Sequence, residues 1–192
     1  MSPEGFGTIE RKTIFEGQVV RLYVDRVELP NGHEAEREVI EHSGAVGVVA
    51  LDQNGWIYLV KQYRHAAGEE LLEIPAGKLS SGEKPLDCGK RELEEEIGFQ
   101  AFDWLELASF YTSPGFTNEM LYLYLGSKLR KTQANPDEDE FLEVVHLPMG
   151  KALEMVAKNE IKDSKSVAGI ALATIYLKHQ YQPRKTRRMA EK

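Results

Sequence analysis

The sequence predicts an α+β chain or an α/β sandwich on three observations. Short β-branched and apolar runs recur along most of its length, only three segments carry helical spacing, and turn signals separate the runs. With 192 residues, 42% of them hydrophobic and 29% charged, the chain has the apolar mass of one soluble globular domain plus a small addition. Domains cluster near roughly 100–150 residues.

In chain order, Val19–Val24 and Arg26–Leu29 read as short strands followed by Pro30-Asn31-Gly32, where Asn-Gly is a strong hairpin signal. Glu36 to His42 alternates weakly, and Ser43-Gly44 marks a joint. The expected division is an N-terminal β-segment over 1–42, a main domain over 43–181 and a polar tail over 182–192 that should be disordered. Ala45–Leu51 is apolar throughout, as a strand buried on both faces should be. Asp52-Gln53-Asn54-Gly55 turns it into Trp56–Tyr63, a second hairpin at the centre of the sheet. Pro85 near its start and Gly98 beyond its end frame a helix over 85–97. Strands follow at Phe102–Tyr111 and Met120–Leu125, then an acidic loop, Asn135–Glu140, then a strand at Leu142–Leu147. Two C-terminal helices, 149–158 and 164–180, should cover one face of the sheet, because Leu153, Val156, Val167, Ile170 and Ala171 recur at helical spacing.

Charge and composition argue against several functions. A net charge of -7 disfavours general nucleic-acid binding, which needs a surplus of Lys and Arg; the basic run Arg184–Arg188 is short and terminal. No window approaches the roughly 18–20 apolar residues of a membrane span, and Met1-Ser2-Pro3-Glu4-Gly5 lacks the start of a secretory signal. Cys88 is the only cysteine, so neither an intrachain disulfide nor a thiolate zinc site can form. A reducing, cytoplasmic setting fits these features.

The informative stretch is Gly77-Lys78-Leu79-Ser80-Ser81-Gly82-Glu83, then seven residues, then Arg91-Glu92-Leu93-Glu94-Glu95-Glu96-Ile97-Gly98-Phe99. Residues three and four apart share a helix face, so Glu92, Glu95 and Glu96 gather on one side. Their repulsion, added to the unfavourable dipole near a helix C-terminus, calls for a compensating cation. An acidic helix is ordinarily a solvated face. Hard oxygen donors at i and i+4 also suit Mg²⁺, which uses one or two carboxylates together with substrate phosphate.

The surroundings decide between these readings. Gly77 to Phe99 resembles the Nudix box at every defined position: Gly, five residues, Glu, seven residues, Arg-Glu, an aliphatic, any residue, Glu-Glu, any residue, Gly, an aliphatic or aromatic. The resemblance implies an α/β/α sandwich with a mixed sheet, whose box holds one to three Mg²⁺ or Mn²⁺ ions through Glu92, Glu95 and Glu96 and the carbonyl of Ala76. It also implies that Gly77 permits the turn bringing that carbonyl in, that Arg91 orients Glu95 or a neighbour by a bidentate hydrogen bond, and that Glu83 braces the ligands.

Residues outside the box resemble the ADP-ribose and nucleoside diphosphate sugar pyrophosphatases. Lys61-Gln62-Tyr63-Arg64 and Glu73-Ile74-Pro75-Ala76-Gly77 precede the box, and Pro114 lies sixteen residues beyond Gly98, with Glu119 shortly after. By this resemblance Arg64 holds phosphate and Glu73 sugar, Pro114 marks the subfamily, and Glu119 is a polar contact. The N-terminal strands are similar to a small β-domain that builds a homodimer. No histidine recommends itself as a base, and the acidic loop supplies Glu140, or else Glu138. The implied reaction is attack of metal-activated water on the diphosphate of ADP-ribose or a related nucleoside diphosphate sugar. A GDP-mannose-type hydrolase is the near alternative, and a non-catalytic nucleotide-binding Nudix module the distant one. Cys88, inside the box helix, reads as core filling.

Overall fold

The computed structural model describes residues 7–136 and 141–180. Strands β1 (Gly7–Glu16), β2 (Val20–Glu28) and β3 (Glu34–His42) form an antiparallel sheet in that order. The two short strands expected at 19–29 are thus one, and β1 was not foreseen. All ten of its residues are exposed, so no buried stripe writes a pattern into its sequence. The hairpin between β2 and β3 closes where Asn31-Gly32 stands, with Gly32 at φ 77.

The second sheet runs β10 (Glu143–Pro148), β5 (Trp56–Arg64), β4 (Ala45–Leu51), β9 (Met120–Lys131), β8 (Phe99–Tyr111). Two short strands attach to it, β6 (Glu69–Glu73) on β5 and β7 (Ala76–Lys78) on β4. The sheet is mixed, because β4 pairs parallel with β9 and antiparallel with β5. Strands β6 and β7, which lie on either side of Pro75, were read from sequence only as a lead-in to the box. Strands β8 and β9 run further than expected because their pairing continues from Ala101↔Leu129 to Phe99↔Lys131, where Phe99, Ala101 and Leu129 pack half-buried against the core.

The central strand β4 explains the layering. Its residues alternate between faces, so Val46, Val48 and Ala50 pack with Cys88, Leu93 and Ile97 of helix α1 (Pro85–Ile97). Val49 and Leu51 pack with Ile170 and Ala173 of α3 (Ser164–Gln180), beside α2 (Met149–Ala157). This is the expected α/β/α sandwich with a mixed sheet. Truncating fully buried Leu93 to Ala should cost about 2–5 kcal/mol. Helix α1 begins with Pro85 and ends at Gly98, whose φ of 69 lets its N–H reach the Glu94 carbonyl. The N-terminal sheet meets this body at an isolated parallel bridge, Ile40↔Thr117. Among the described residues no helix is long and apolar enough to cross a membrane.

Candidate active site

The cleft is organised by two neighbouring charge clusters. The first lies on α1 and the loop before it. Here the Arg91 guanidinium sits among acids: Nε donates to Glu83 Oε1 at 3.0 Å and Nη2 to Glu83 Oε2 at 3.2 Å, while Nη1 lies 2.7 Å from Glu92 and 2.9 Å from Glu95. Arg91 thus supplies part of the positive charge that the acids of α1 call for. Its bidentate grip falls on Glu83, whereas Glu92 and Glu95 share the remaining nitrogen. Of the expected bidentate bond to Glu95 or a neighbour, the fork falls on Glu83 and a single nitrogen serves Glu92 and Glu95. A planar guanidinium has five donors in a fixed geometry, and the Glu83 carboxylate is the partner in line with its Nε edge. That grip holds the Glu83 carboxyl at about 2.

Glu92 and Glu96 are buried at 8% and 3% exposure, and Glu95 is more open. Glu96 accepts the Ala76 N–H at 3.0 Å, which ties α1 to β7. Gly77 follows in β7 and is not among the residues at positive φ. The expectation that Gly77 is needed for a backbone turn is corrected: it is needed for space, since a Cβ there would collide with the Glu92 carboxylate. Cys88, 0% exposed, has its thiol pushed up to about 12 by burial and behaves as core filling.

Three carboxylates share the one Arg91 guanidinium, Glu96 stands one turn along the same helix from Glu92, and the donor atoms of all four are oxygens. Buried like charges that outnumber their cation fit a hard divalent ion in chemistry. The described residues do not gather three acids around one point, because Arg91 stands between them. The loop acids Glu138 and Glu140 lie outside the described residues.

The second cluster crosses the cleft floor. Glu73, expected to touch the sugar, is 1% exposed, and its carboxylate is taken up by Arg64 (Nη2 2.6 Å, Nε 3.0 Å) and by Lys165 Nζ at 2.6 Å. That expectation is corrected: Glu73 lies beneath the cleft and holds two cations at its edge. Burial alone would raise its pKa, but the hydrogen bond from Arg64 and the charge of Lys165 outweigh it, and the carboxyl is held below its ordinary value. Lys165 also reaches Asp163 at 2.8 Å. Sequence reading missed Lys165, which stands 92 positions from Glu73.

A cavity of about 750 Å³ brings together Arg64, Ala76, Arg91, Glu92, Glu95 and Glu119. Glu119 accepts the Thr112 hydroxyl at 2.7 Å and faces His42 at 3.4 Å. His42 Nδ1 accepts the Gly44 N–H at 3.0 Å. Pro114 is exposed in the turn of the loop between β8 and β9 and does not line this cavity.

The model of the NUDIX domain matches residues 41–168. This chain belongs to the Nudix family. It is an enzyme, a Nudix hydrolase, and a nucleoside diphosphate sugar hydrolase N-terminal domain model matches residues 7–40 of it. The Nudix chain is 43% identical to the methanol dehydrogenase activator of Bacillus methanolicus over 177 residues, 90% of this chain and 96% of that protein. It is 42% identical to the ADP-ribose pyrophosphatase of Bacillus subtilis (strain 168) over 180 residues, 93% of this chain and 96% of that protein. A crystal structure titled ADP compounds hydrolase has the same fold, with a TM-score of 0.83 at 21% identity, covering 95% of this chain and 100% of that one.

Proposed function

We propose that this Nudix hydrolase cleaves the diphosphate of ADP-ribose, giving AMP and ribose 5-phosphate. The observation that carries the reading is the pairing in one cleft of an acid-rich cluster on α1 with a cation-edged floor at Arg64. Such a cleft accepts a diphosphate while leaving anionic oxygens where an ion can bridge to it. Mg²⁺ or Mn²⁺, one to three ions held by Glu92, Glu95 and Glu96 with the Ala76 carbonyl, would polarise the phosphoryl oxygen and lower the pKa of attacking water.

The protein's own contribution is positioning. Arg64 is gripped by Glu73 through Nε and Nη2 and lines the cleft, where its guanidinium can meet a phosphate oxygen. Arg91 keeps Glu92 and Glu95 in place through one nitrogen, and Glu119 shapes the far wall. Glu140, or else Glu138, receives the proton of the attacking water.

A homodimer is part of this proposal: the N-terminal sheet has one buried charged residue, Asp25, and an outer strand that none of the described residues covers. A cytoplasmic setting suits the single buried thiol. Hydrolysis of a panel of nucleoside diphosphate sugars with Mg²⁺ and Mn²⁺ tests the substrate. ADP-ribose should lead, and preference for GDP-mannose would replace it. Single-turnover rates of Glu140→Gln and Glu138→Gln should single out the base by a loss of about a hundredfold or more. Full activity in both would leave the metal and box acids to activate water. Light scattering should give twice the chain mass.

A further inference from the structure

A second cavity, of about 430 Å³, opens beside the first, and His42, Ala45, Glu119 and Lys165 line both. Its walls combine apolar surface from Ile40 and Leu121 with the hydroxyls of Thr112, Thr117 and Ser164 and the carboxylates of Glu119 and Asp163. Hydroxyls and carboxylates in one pocket suit the hydroxyls of a sugar, each of which can donate and accept.

Lys165 is the charged residue at the neck that the expected site does not include. Its ammonium has three donors; two are spent, on Glu73 Oε2 at 2.6 Å and Asp163 Oδ1 at 2.8 Å. Its side chain is 16% exposed, and that exposure falls where the cavities meet. Both partners are themselves anchored. Glu73 is buried under Arg64, and Asp163 accepts the Ser166 N–H at the start of α3. The ammonium is thus held before any ligand arrives, which lowers the ordering cost of binding.

We propose that Lys165 is a substrate-anchoring residue that uses its remaining donor on the phosphate carrying the sugar, with that sugar seated in the second cavity. The inference rests on the reading of the chain as an ADP-ribose hydrolase. A diphosphate esterified at both ends that reaches the acids of α1 with its phosphates and the second cavity with its sugar crosses the junction lined by His42, Ala45, Glu119 and Lys165, of which Lys165 is the one lysine or arginine. The neck therefore selects two-ended diphosphates whose distal arm is polyhydroxylated.

Calorimetric titration of the full-length protein with ribose 5-phosphate and with AMP, each alone, tests this. In Lys165→Gln, ribose 5-phosphate should bind about tenfold or more weakly while AMP changes by less than about twofold, and Lys165→Arg should recover most of the loss. The KM for ADP-ribose should rise more than kcat falls. Because Lys165→Gln also loosens Glu73 and can fold poorly, the wild-type protein supplies a second measurement: ribose 5-phosphate, and not AMP, should shield Lys165 from an amine-acylating reagent, read by mass spectrometry. Equal loss of both products, loss of AMP alone, no loss, or no shielding by ribose 5-phosphate overturns the proposal. Failure of the wild-type protein to hydrolyse ADP-ribose overturns instead the reading beneath it, while product binding still reports on Lys165.

Discussion

The two charge clusters of the cleft are built on opposite plans. Around Arg91, three carboxylates share one guanidinium; around Glu73, two acids face two cations. A balanced buried network mainly holds shape, since breaking it leaves a charge stranded in low dielectric. An unbalanced one keeps anionic capacity for something brought from outside. The same residue types thus serve structure on one side of the cleft and chemistry on the other, and stoichiometry tells them apart.

That contrast can be broken from either side. The largest effect should come from Glu73→Ala, which strands Arg64 and Lys165 over a buried gap: a loss of about 3–5 kcal/mol of folding stability, read by urea denaturation. Unchanged stability would remove Glu73 from its supporting role. Next, Glu96→Gln or Glu95→Gln should lower kcat by about a hundredfold with stability nearly unchanged. Wild-type kinetics in both at saturating Mg²⁺ would show that the surplus acids are only a solvated face. Smaller again, Gly77→Ala should cost about tenfold in kcat with KM nearly constant, because its methyl displaces Glu92. An unchanged kcat would mean that Glu92 can move aside freely.

The smallest effect lies outside the cleft. Asp25, 4% exposed, accepts a bidentate bond from Arg11 at 2.7 and 2.8 Å, which outweighs burial and holds its carboxyl below the ordinary value. A depressed folded-state value means that the stabilisation is present above the unfolded pKa of about 3.9 and is lost as pH falls through the folded one. Asp25→Asn should therefore cost up to about 1 kcal/mol at neutral pH, given the solvent exposure of Arg11, and nothing at the acid end. Thermal melts across that range would show a pH-independent difference if the pair contributes no charge effect.

The legible parts of the molecule were those whose cause is local. The range of α1 follows from Pro85 and Gly98, and β4 from its unbroken apolar run, because capping and periodicity act within a few residues. That Glu92, Glu95 and Glu96 share one side of α1 was legible from their spacing, while the ligand role given to them came from the resemblance to the Nudix box. The partnership of Glu73 with Lys165 was not, since a contact spanning 92 positions leaves no local trace. Strand β1 escaped for a different reason: with both faces in solvent, nothing constrains its alternation. Gly77 was noticed, but its purpose was hidden, because the neighbour that forbids a Cβ arrives from the next element.

The bridge at Ile40 bears on how the chain can be divided. The Ile40 N–H donates to the Phe116 carbonyl at 2.7 Å, the Asn118 N–H to the Ile40 carbonyl at 3.3 Å, and the His42 N–H to the Asn118 side chain at 2.9 Å. The loop that carries Glu119 is thus stitched to the last strand of the small sheet. Cutting at residue 43 would unpick this seam and leave the backbone groups of Phe116 and the Asn118 amide to find water. The joint that reads in sequence as a boundary between two modules is therefore crossed by three hydrogen bonds, and they fasten the small sheet to the loop that carries a wall residue of the cleft.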